Sequence, residues 1–326
     1  MSLVLGIDSG GTKTLAALAD ASGEVVAVLR CPGLDPSSQP RWRELLRDLV
    51  SRLPRQEEIS AAVFGLSAFG EIAAYTEEQL RLARELVRVE PIVENDVRIA
   101  FDGAFAGASG GGVLVLAGTG SMAWASLNGP GDPHVRVGGW GEAFGDEGSA
   151  FWIGRESLRA VSRELDGRSA GSDFSSAFLA RLGVAPSELA AWCYGAENRR
   201  AEFARLAMIT SDLAEAGDPV ALRLMAEAAD ELAETLLTAW RLAAGEAPLT
   251  WSFAGGVMRS SLIREKIQDR VGCAPVAGRL PPIGGALFRA AVHAGWNVTP
   301  QWVERVDASL RNFPAYADPS SKETRK

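Results

Sequence analysis

Cysteine and histidine are scarce in this chain, which holds three cysteines and two histidines in 326 residues. Cys31, Cys193 and Cys273 are far apart in the sequence, which argues against a local metal or cluster motif and favours a reducing cytoplasm. Two histidines leave little room for a histidine-based catalytic triad. The composition therefore disfavours metal-cluster and histidine-triad chemistry.

Long apolar runs and blocks of like charge are missing as well. No run approaches the roughly 18 apolar residues of a membrane helix, and the N-terminal stretch carries Asp8 and Lys13 without a basic start, so a signal peptide is not expected. The net charge of −8 and the pI of about 5.1 are acidic, whereas proteins that bind nucleic acid carry a basic surface. We therefore expect a cytoplasmic protein of about two domains, with no membrane and no nucleic-acid partner.

Two common nucleotide-binding motifs are also absent. No G-x-x-x-x-G-K-[ST] sequence occurs, and no G-x-G-x-x-G opens a helix after the first strand, so a P-loop ATPase and a dinucleotide fold are both disfavoured. The chain has instead three short-linked apolar segments, which predict antiparallel strands, followed by alternating helices and strands. The predicted strands are 3–8, 13–20, 24–30, 61–66 and 91–95, and the predicted helices are 41–53, 76–87 and 96–106.

The same order of elements begins again near Gly110. Residues 112–127 repeat the pattern of apolar strand, glycine turn and apolar strand with which the chain opens. Beyond them we predict helices at 146–165, at 198–244, from about 258 and at 284–295, with one further strand at 249–255. The prediction is an α/β fold with two mixed sheets of five-stranded type and flanking helices.

A carboxylate and glycines stand at the first strand turn, in the segment LVLGIDSGGTKTLAALAD. Glycines let backbone N–H groups approach an anion closely, and an acid at a strand end suits a hydrated Mg²⁺. A second glycine turn and a later glycine pair favour a Mg-nucleotide phosphate site over a plain glycine hairpin. The predicted ATP and phosphate residues are Asp8, Gly10, Gly11, Thr12, Lys13, Gly118, Thr119, Gly120, Ser121, Gly255 and Gly256, with Asp8 as the metal ligand.

These turns, together with the segment GGWGEAFGDEGSAFWIGRESLRAV at 138–161, resemble the N-acetylglucosamine kinase and BadF-type ATPase family of the actin, hexokinase and heat-shock-protein ATPase superfamily. The resemblance extends from Gly6 to about Ala291. It implies two ribonuclease-H-like lobes that close over ATP and a sugar, and, because dimers are typical of the family, a homodimer. We assign residues 1–110 and 285–311 to the N-terminal lobe, 111–284 to the C-terminal lobe and 312–326 to a flexible tail.

The resemblance also implies a catalytic base and a set of sugar contacts. Asp96, in the segment VENDVRIAFDGA, matches the family's base for the sugar 6-hydroxyl, whereas the local pattern alone favours a helix cap, with Asp102 as a surface acid. The glycine-rich segment around Trp140 matches the sugar pocket; the alternative is a core tryptophan with Asp146 as a helix cap. The predicted sugar-binding residues are Asp35, Asn95, Asp96, Gly139, Trp140, Gly141 and Asp146.

Two positions depart from the pattern of the resembled family. Asp35 stands where the family often has an asparagine that contacts the sugar, and a carboxylate there favours an amino sugar with a free ammonium, such as glucosamine. Ser67, in GLSAFG, replaces part of a glycine-alanine-glycine loop; it either touches the substrate or simply ends a strand.

The expected function is ATP-dependent phosphorylation of a hexose or amino sugar, N-acetylglucosamine or glucosamine, at the 6-position. A BadF-type ATPase that activates a dehydratase is an alternative, but the scattered cysteines provide no paired set for an iron–sulfur cluster. A non-catalytic sugar-sensing regulator is another alternative; such regulators carry an added DNA-binding domain, whereas the first strand predicted here begins at residue 3.

Overall fold

The computed structural model describes residues 2–10, 12–108, 111–127, 133–244 and 247–316, and the chain forms two compact units. The first unit consists of the described residues of Met1–Gly111, Asn128–Pro133 and Ala277–Lys326, and the second unit of those of Gly112–Leu127 and His134–Val276. Residues 277–284, which we predicted in the C-terminal lobe, lie in the first unit. They belong there because the amides of Arg279 and Leu280 donate to the carbonyls of Ala104 and Gly103.

The described residues form nine strands and eleven α-helices. The strands are β1 (Leu3–Ser9), β2 (Lys13–Asp20), β3 (Val25–Pro32), β4 (Ile59–Leu66), β5 (Ile92–Asn95), β6 (Gly112–Ala117), β7 (Ser121–Ser126), β8 (Val135–Gly138) and β9 (Trp251–Ala254). The helices are α1 (Trp42–Ser51), α2 (Ala73–Leu86), α3 (Asp96–Ala104), α4 (Ala150–Leu165), α5 (Asp173–Leu182), α6 (Leu189–Gly195), α7 (Arg199–Glu215), α8 (Pro219–Ala244), α9 (Ser261–Val271), α10 (Pro282–His293) and α11 (Pro300–Leu310).

The sheet of the first unit is mixed and has the order β3-β2-β1-β4-β5. The short glycine turn makes β1 and β2 antiparallel, with Ser9 opposite Thr14, and β3 continues the antiparallel meander. Strands β4 and β5 are parallel to β1 and reach their places through helical crossovers. The predicted mixed sheet is therefore confirmed in the first unit.

Strand β1 is buried on both faces, as expected for the centre of a sheet covered by helices. Leu3, Leu5 and Ile7 belong to the apolar cluster formed with α1 and α2, whereas Val4 belongs to the cluster formed with α10 and α11. Because successive side chains of a strand point to opposite faces, this alternation gives the sheet a core on each side. The packing on both faces holds β1 in place, including its C-terminal end, where Asp8 lies.

The sheet of the second unit has the order β8-β7-β6-β9, which repeats the connectivity of β3, β2, β1 and β4. The predicted duplication of topology is therefore confirmed. This sheet has four strands in the described residues instead of the five that we predicted. The segment beside β9 is bonded to it through the Val276 amide and the Trp251 carbonyl at 2.8 Å, and Pro275 next to it has no N–H with which to extend a ladder.

Helix α4 begins four residues later than predicted. Asp146 and Gly148 have φ angles of +58° and +75°, which a right-handed helix excludes, and the helix starts after Ser149. The Ser149 hydroxyl is the N-cap and accepts from the Trp152 amide at 3.2 Å. Residues 139–149 therefore form a loop, and residues 146–149 are its end instead of the first turn of a helix.

The described part of the predicted tail, residues 312–316, is packed. Phe313, Ala315 and Tyr316 are partly buried against the cluster that contains α10 and α11. Residues 317–326 lie outside the described part of the chain. Among the described helices, none combines the length and the apolar character that crossing a membrane requires.

The glycine at position 255 can be tested by its effect on stability. Its φ is +99°, and a Cβ there would lie 2.2 Å from the Ala117 carbonyl oxygen at the end of β6. Gly255→Ala is therefore expected to lower the free energy of unfolding by about 2 kcal/mol or more, measured by urea denaturation. Gly256→Ala is the matched control, because Gly256 has a φ of −68° and a Cβ there would meet no heavy atom of the described residues within 4 Å. Equal losses in the two variants would contradict this account.

Candidate active site

Asp96 is the first residue of α3 and directly follows the buried strand β5. The N-cap is Asn95, whose Oδ1 accepts from the Val97 amide at 3.0 Å. The alternative in which Asp96 serves as the cap is therefore wrong. The Asn95 amide group also donates to the Phe69 carbonyl at 3.0 Å and to Glu71 Oε1 at 3.3 Å, so Asn95 fixes the loop before α2 as well as the helix start. Its predicted contact with a sugar stays a prediction.

Two carboxylates of the first unit have strongly raised pKa values. Burial, with the negative charge of Asp96 as the next cause, raises the pKa of Asp8 to about 7, and Lys13 opposes this shift. Burial also raises the pKa of Asp96 to about 6, with the charge of Glu71 as the second cause. The Val97 amide and Ser67 hydroxyl oppose the shift of Asp96. Both acids therefore titrate close to neutral pH, where a proton acceptor is most useful.

Ser67 connects the ends of β1 and β5. Its hydroxyl donates to the Ser9 carbonyl at 2.6 Å and lies 3.5 Å from Asp96 Oδ2. Gln79 of α2, which the sequence pattern did not identify, donates from Nε2 to the Ser67 carbonyl at 2.9 Å. Ser67 therefore does more than end a strand, because it is held between β1 and the candidate base.

Asp35 contributes to the same electrostatic environment. Its Oδ1 accepts from the amide and the hydroxyl of Ser37 at 2.9 and 2.7 Å, and its charge is one cause of the raised pKa of Asp96. We call the four residues that interact in this way the acidic cluster: Asp8, Asp35, Glu71 and Asp96. A concentration of carboxylates favours the approach of a cation or an ammonium group.

Asp8 fits the predicted role of a magnesium ligand. In the described residues, no three His, Cys, Asp or Glu side chains are grouped to hold a metal ion. Mg²⁺ commonly uses one or two carboxylates and completes its shell with water and substrate phosphates. The raised pKa of Asp8 shows that its ionised form is poorly compensated, and a cation would supply that compensation.

The turn after β1 is closed by the Gly10 amide, which donates to the Lys13 carbonyl at 3.1 Å. Thr12 is exposed, and Lys13 is half-buried. Gly11 lies outside the described residues. The Gly10 amide thus serves the turn itself, and Thr12 and Lys13 are accessible donors among the described residues of this segment.

The turn after β6 is also closed by a glycine amide, although its bond spans one residue fewer. Here the Gly118 amide donates to the Gly120 carbonyl at 2.9 Å and Thr119 is exposed. The Ser121 hydroxyl is buried and donates to the Glu147 carbonyl at 2.6 Å, so it stabilises the turn instead of facing solvent. Gly255 packs against Ala117, which brings the later glycine pair beside this turn. That both turns grip one nucleotide stays a prediction.

The loop before α4 exposes its aromatic residues. Gly139 and Gly141 have φ angles of +73° and +86°, and Trp140 between them is 72% exposed. The alternative of a core tryptophan is therefore wrong. Asp146, in contrast, is 2% exposed and accepts from Arg200 Nη2 at 2.9 Å, with further bonds from the amides of Ser121 and Gly141. Its predicted contact with a sugar is untested by this geometry, and it is not a helix cap.

A buried cluster of ion pairs joins α3 to α10 and to the end of β5. Asp102 is fully buried, so the expectation of a surface acid is wrong. Arg98 Nε lies 3.2 Å from Asp102 Oδ1, Arg289 Nη1 lies 3.0 Å from Asp102 Oδ2, and Arg289 Nη2 lies 2.6 Å from Glu94 Oε1. Arg289 of α10 therefore ties the end of β5 to α3 on both sides of Asp96. The sequence pattern gave no sign of this arginine's role.

Two mixed sheets of one shared topology, each with a glycine turn between its first two strands, define an α/β fold of the actin-like ATPase class. The BadF/BadG/BcrA/BcrD ATPase family matches residues 5–288, and the chain belongs to this family. The predicted family, and with it ATP as the nucleotide, is confirmed.

Curated relatives and a solved structure agree with this assignment. The chain is 29% identical over 242 residues to an N-acetylmuramic acid/N-acetylglucosamine kinase of Clostridium acetobutylicum, covering 71% of this chain and 77% of that protein. It is 24% identical over 247 residues to an N-acetyl-D-glucosamine kinase of Dictyostelium discoideum, covering 71% and 76%. A candidate N-acetylglucosamine kinase from Chromobacterium violaceum shares the fold, with a TM-score of 0.70 and 24% identity over 89% of this chain and 99% of that chain. The predicted fold class is thus confirmed.

The buried ion cluster yields a stability prediction. Arg289→Met is expected to lower the free energy of unfolding by about 3–5 kcal/mol, because it leaves Asp102 buried with one cation fewer. Denaturant titration measures the loss. Arg311→Met is the control, because Arg311 forms an exposed pair with Asp307 and is expected to cost less than about 1 kcal/mol. A loss at Arg289 as small as the one at Arg311 would contradict the proposed anchoring.

The raised pKa of Asp96 yields a prediction about pH. An ordinary aspartate titrates at 3.8 and Asp96 at about 6, so the folded ligand-free protein binds more protons between these values and loses stability as the pH rises through them. Asp96→Asn removes this effect, and the variant is expected to be about 1–3 kcal/mol more stable than the wild type at pH 8 but not at pH 4. Denaturation at both pH values measures the difference, with Asp269→Asn on the exposed face of α9 as the control. The same stability difference at both pH values would refute the assignment.

Proposed function

We propose that the protein is a kinase that transfers a phosphoryl group from ATP to a hydroxyl of a hexose or amino sugar, with N-acetylglucosamine or glucosamine phosphorylated at the 6-position. The observation that carries the proposal is the contrast between the two acids of α3. Asp102 is paired with two arginines, whereas among the described residues no cation pairs with Asp96. The membership in an ATPase family and the two curated sugar kinases support this choice.

Asp96 would act as the general base. With a pKa of about 6 it is mostly ionised at neutral pH and still basic enough to accept a proton. The sugar hydroxyl loses its proton to Asp96 as its oxygen forms a bond to the γ-phosphorus, and the bond between that phosphorus and the ADP oxygen breaks. The products are the sugar phosphate and ADP, and Asp96 releases its proton to water.

The glycine turns would bind the phosphates. In the second unit, the turn at Gly118–Ser121 adjoins Gly255 and exposes Thr119, and in the first unit Thr12 and Lys13 are the accessible donors beside Asp8. Asp8 would hold Mg²⁺, which when bound neutralises charge on the phosphates. Backbone amides and hydroxyls held rigidly in a turn stabilise an anion without reorganising.

Two observations support the acceptor: the first favours a sugar, and the second favours an amino group on it. Trp140 is exposed between glycines, which suits contact with the apolar face of a sugar ring. Asp35 belongs to the acidic cluster around Asp96, so a positively charged amino group would be favoured there. Glucosamine is therefore the second candidate acceptor beside N-acetylglucosamine.

A cytoplasmic location and a homodimer are further parts of the proposal. Dependence on ATP and the three free cysteines, Cys31, Cys193 and Cys273, support the location. The family resemblance supports the dimer, and sedimentation of the purified protein measures it.

The proposal is tested by sugar-dependent release of ADP over a panel of hexoses, amino sugars and muramic derivatives, with the product identified by NMR. Asp96→Asn is expected to lower kcat by roughly 10²–10⁴-fold while ATP binding persists, because the amide cannot accept the proton. Asp269→Asn is the control and is expected to retain full activity. Near-normal turnover by Asp96→Asn would remove Asp96 as the base, and no ADP release with any sugar would reject the kinase.

The same panel separates the two acceptors. A higher kcat/KM for glucosamine than for N-acetylglucosamine is expected if the charge of Asp35 selects an ammonium group. A strong preference for the acetylated sugar would reject this role of Asp35 and leave the kinase itself intact.

A further inference from the structure

Arg200, the second residue of α7, lies against the glycine turn of the second unit. Its Nη2 lies 2.9 Å from Asp146 Oδ2, and its Nε lies 3.2 Å from Glu142 Oε2. A Cβ at Gly120 would be only 2.9 Å from the same Nη2. The guanidinium group therefore packs directly on the turn between β6 and β7.

Glycine at position 120 is explained by this ion pair. A Cβ at Gly120 would also lie 2.6 Å from Asp146 Oδ2, so any larger residue would displace the carboxylate, the guanidinium or both. The lack of a side chain at Gly120 therefore leaves room for the ion pair between Arg200 and Asp146. Close approach to a ligand is one use of a glycine, and space for this pair is a second.

Arg200 is held in place by its ion pairs, but not all of its N–H donors are used. Asp146 is almost fully buried and is itself bonded to the amides of Ser121 and Gly141, so it fixes Arg200 to the turn. The Arg200 side chain is 43% exposed, and within the described part of the chain its Nη1 has no hydrogen-bond partner. Since a guanidinium has five N–H donors, Arg200 retains donors for a further anion.

The charges around the turn call for such a cation. Asp146 and Glu142 bring two negative charges beside Gly120, and these would repel a polyphosphate bound there. Arg200 pairs with both carboxylates at the turn and lies nearly as close to Gly120 as Asp146 does, so it is a cation that offsets their charge where a phosphate would bind. A purely structural ion pair would leave the affinity for phosphates unchanged.

We propose that Arg200 is a catalytic residue that contacts the terminal phosphates of ATP at the Gly118–Ser121 turn, while Asp146 and Glu142 position its guanidinium group. This inference rests on the proposed function, because without a nucleotide at this turn Arg200 has no phosphate to contact. The planar fork of arginine matches phosphate oxygens in pairs, and a cation held there stabilises the charge of the phosphoryl group in transfer.

The test compares binding of AMPPNP with magnesium and binding of adenosine, both by calorimetry, in the wild type, Arg200→Met and Arg205→Met. Arg200→Met is expected to weaken AMPPNP binding by about 10-fold and to lower kcat by about 10²–10³-fold, with adenosine binding unchanged. Arg205→Met is the matched control, because Arg205 lies on the same helix, pairs with Glu202 and is 74% exposed. It is expected to behave as the wild type in all three measurements.

A measurement on the wild type keeps the test independent of folding of the variant. AMPPNP is expected to protect Arg200 from modification by phenylglyoxal, whereas adenosine protects neither Arg200 nor Arg205. Equal AMPPNP affinity in Arg200→Met and in an active wild type, or no protection of Arg200, would overturn the role of Arg200 and leave the kinase intact. A wild type that neither binds AMPPNP nor releases ADP would instead contradict the proposed function.

Discussion

The close packing of helix α10 against β1 and α3 determines where both candidate carboxylates of the first unit lie. A Cβ at Gly6 would lie 2.9 Å from a backbone nitrogen of α10, and a Cβ at Gly285 would lie 2.0 Å from a backbone oxygen of α3. A Cβ at Gly103 would lie 2.8 Å from a carbonyl oxygen of the chain just before α10. The backbones of these elements are therefore in direct contact, because glycine has no side chain to separate them. This contact positions Asp8, which follows Gly6 by two residues, and Asp96, which begins α3.

The neighbours of each acid determine its chemistry. Asp102 and Asp96 lie on one helix, yet Asp102 is neutralised by Arg98 and Arg289 whereas Asp96 meets other carboxylates and a hydroxyl. A paired and buried acid serves the structure, because its oxygens are already bonded to cations and are not available to a substrate proton. Burial raises the pKa of both acids, but of the two Asp96 is the one whose oxygens are not paired with a cation of the described residues, and an accessible acid with a raised pKa is what a base requires.

The sequence predicts much of the fold because its signals are local. Apolar runs joined by glycine turns specify hairpins, and an acid after a buried strand marks the start of α3 at Asp96. Strand β8 has only four residues and is defined by its pairing with β7, so its own sequence carries little signal. Arg98, four residues before Asp102, is a local partner, but the pairing of Asp102 with Arg289 and of Asp146 with Arg200 could not be predicted, because these arginines are 187 and 54 residues away in the chain.

The position of α10 after the second unit in the chain has a consequence for synthesis on the ribosome. The residues of the second unit, up to Val276, are translated before Pro282–His293, which the first unit needs to cover one face of its sheet. Because domains fold as their residues emerge from the ribosome, all residues of the second unit are available for folding before α10 has been made. Until then the apolar face of the first sheet around Val4 is not covered by α10. The nascent chain therefore exposes that face until Pro282–His293 has been translated.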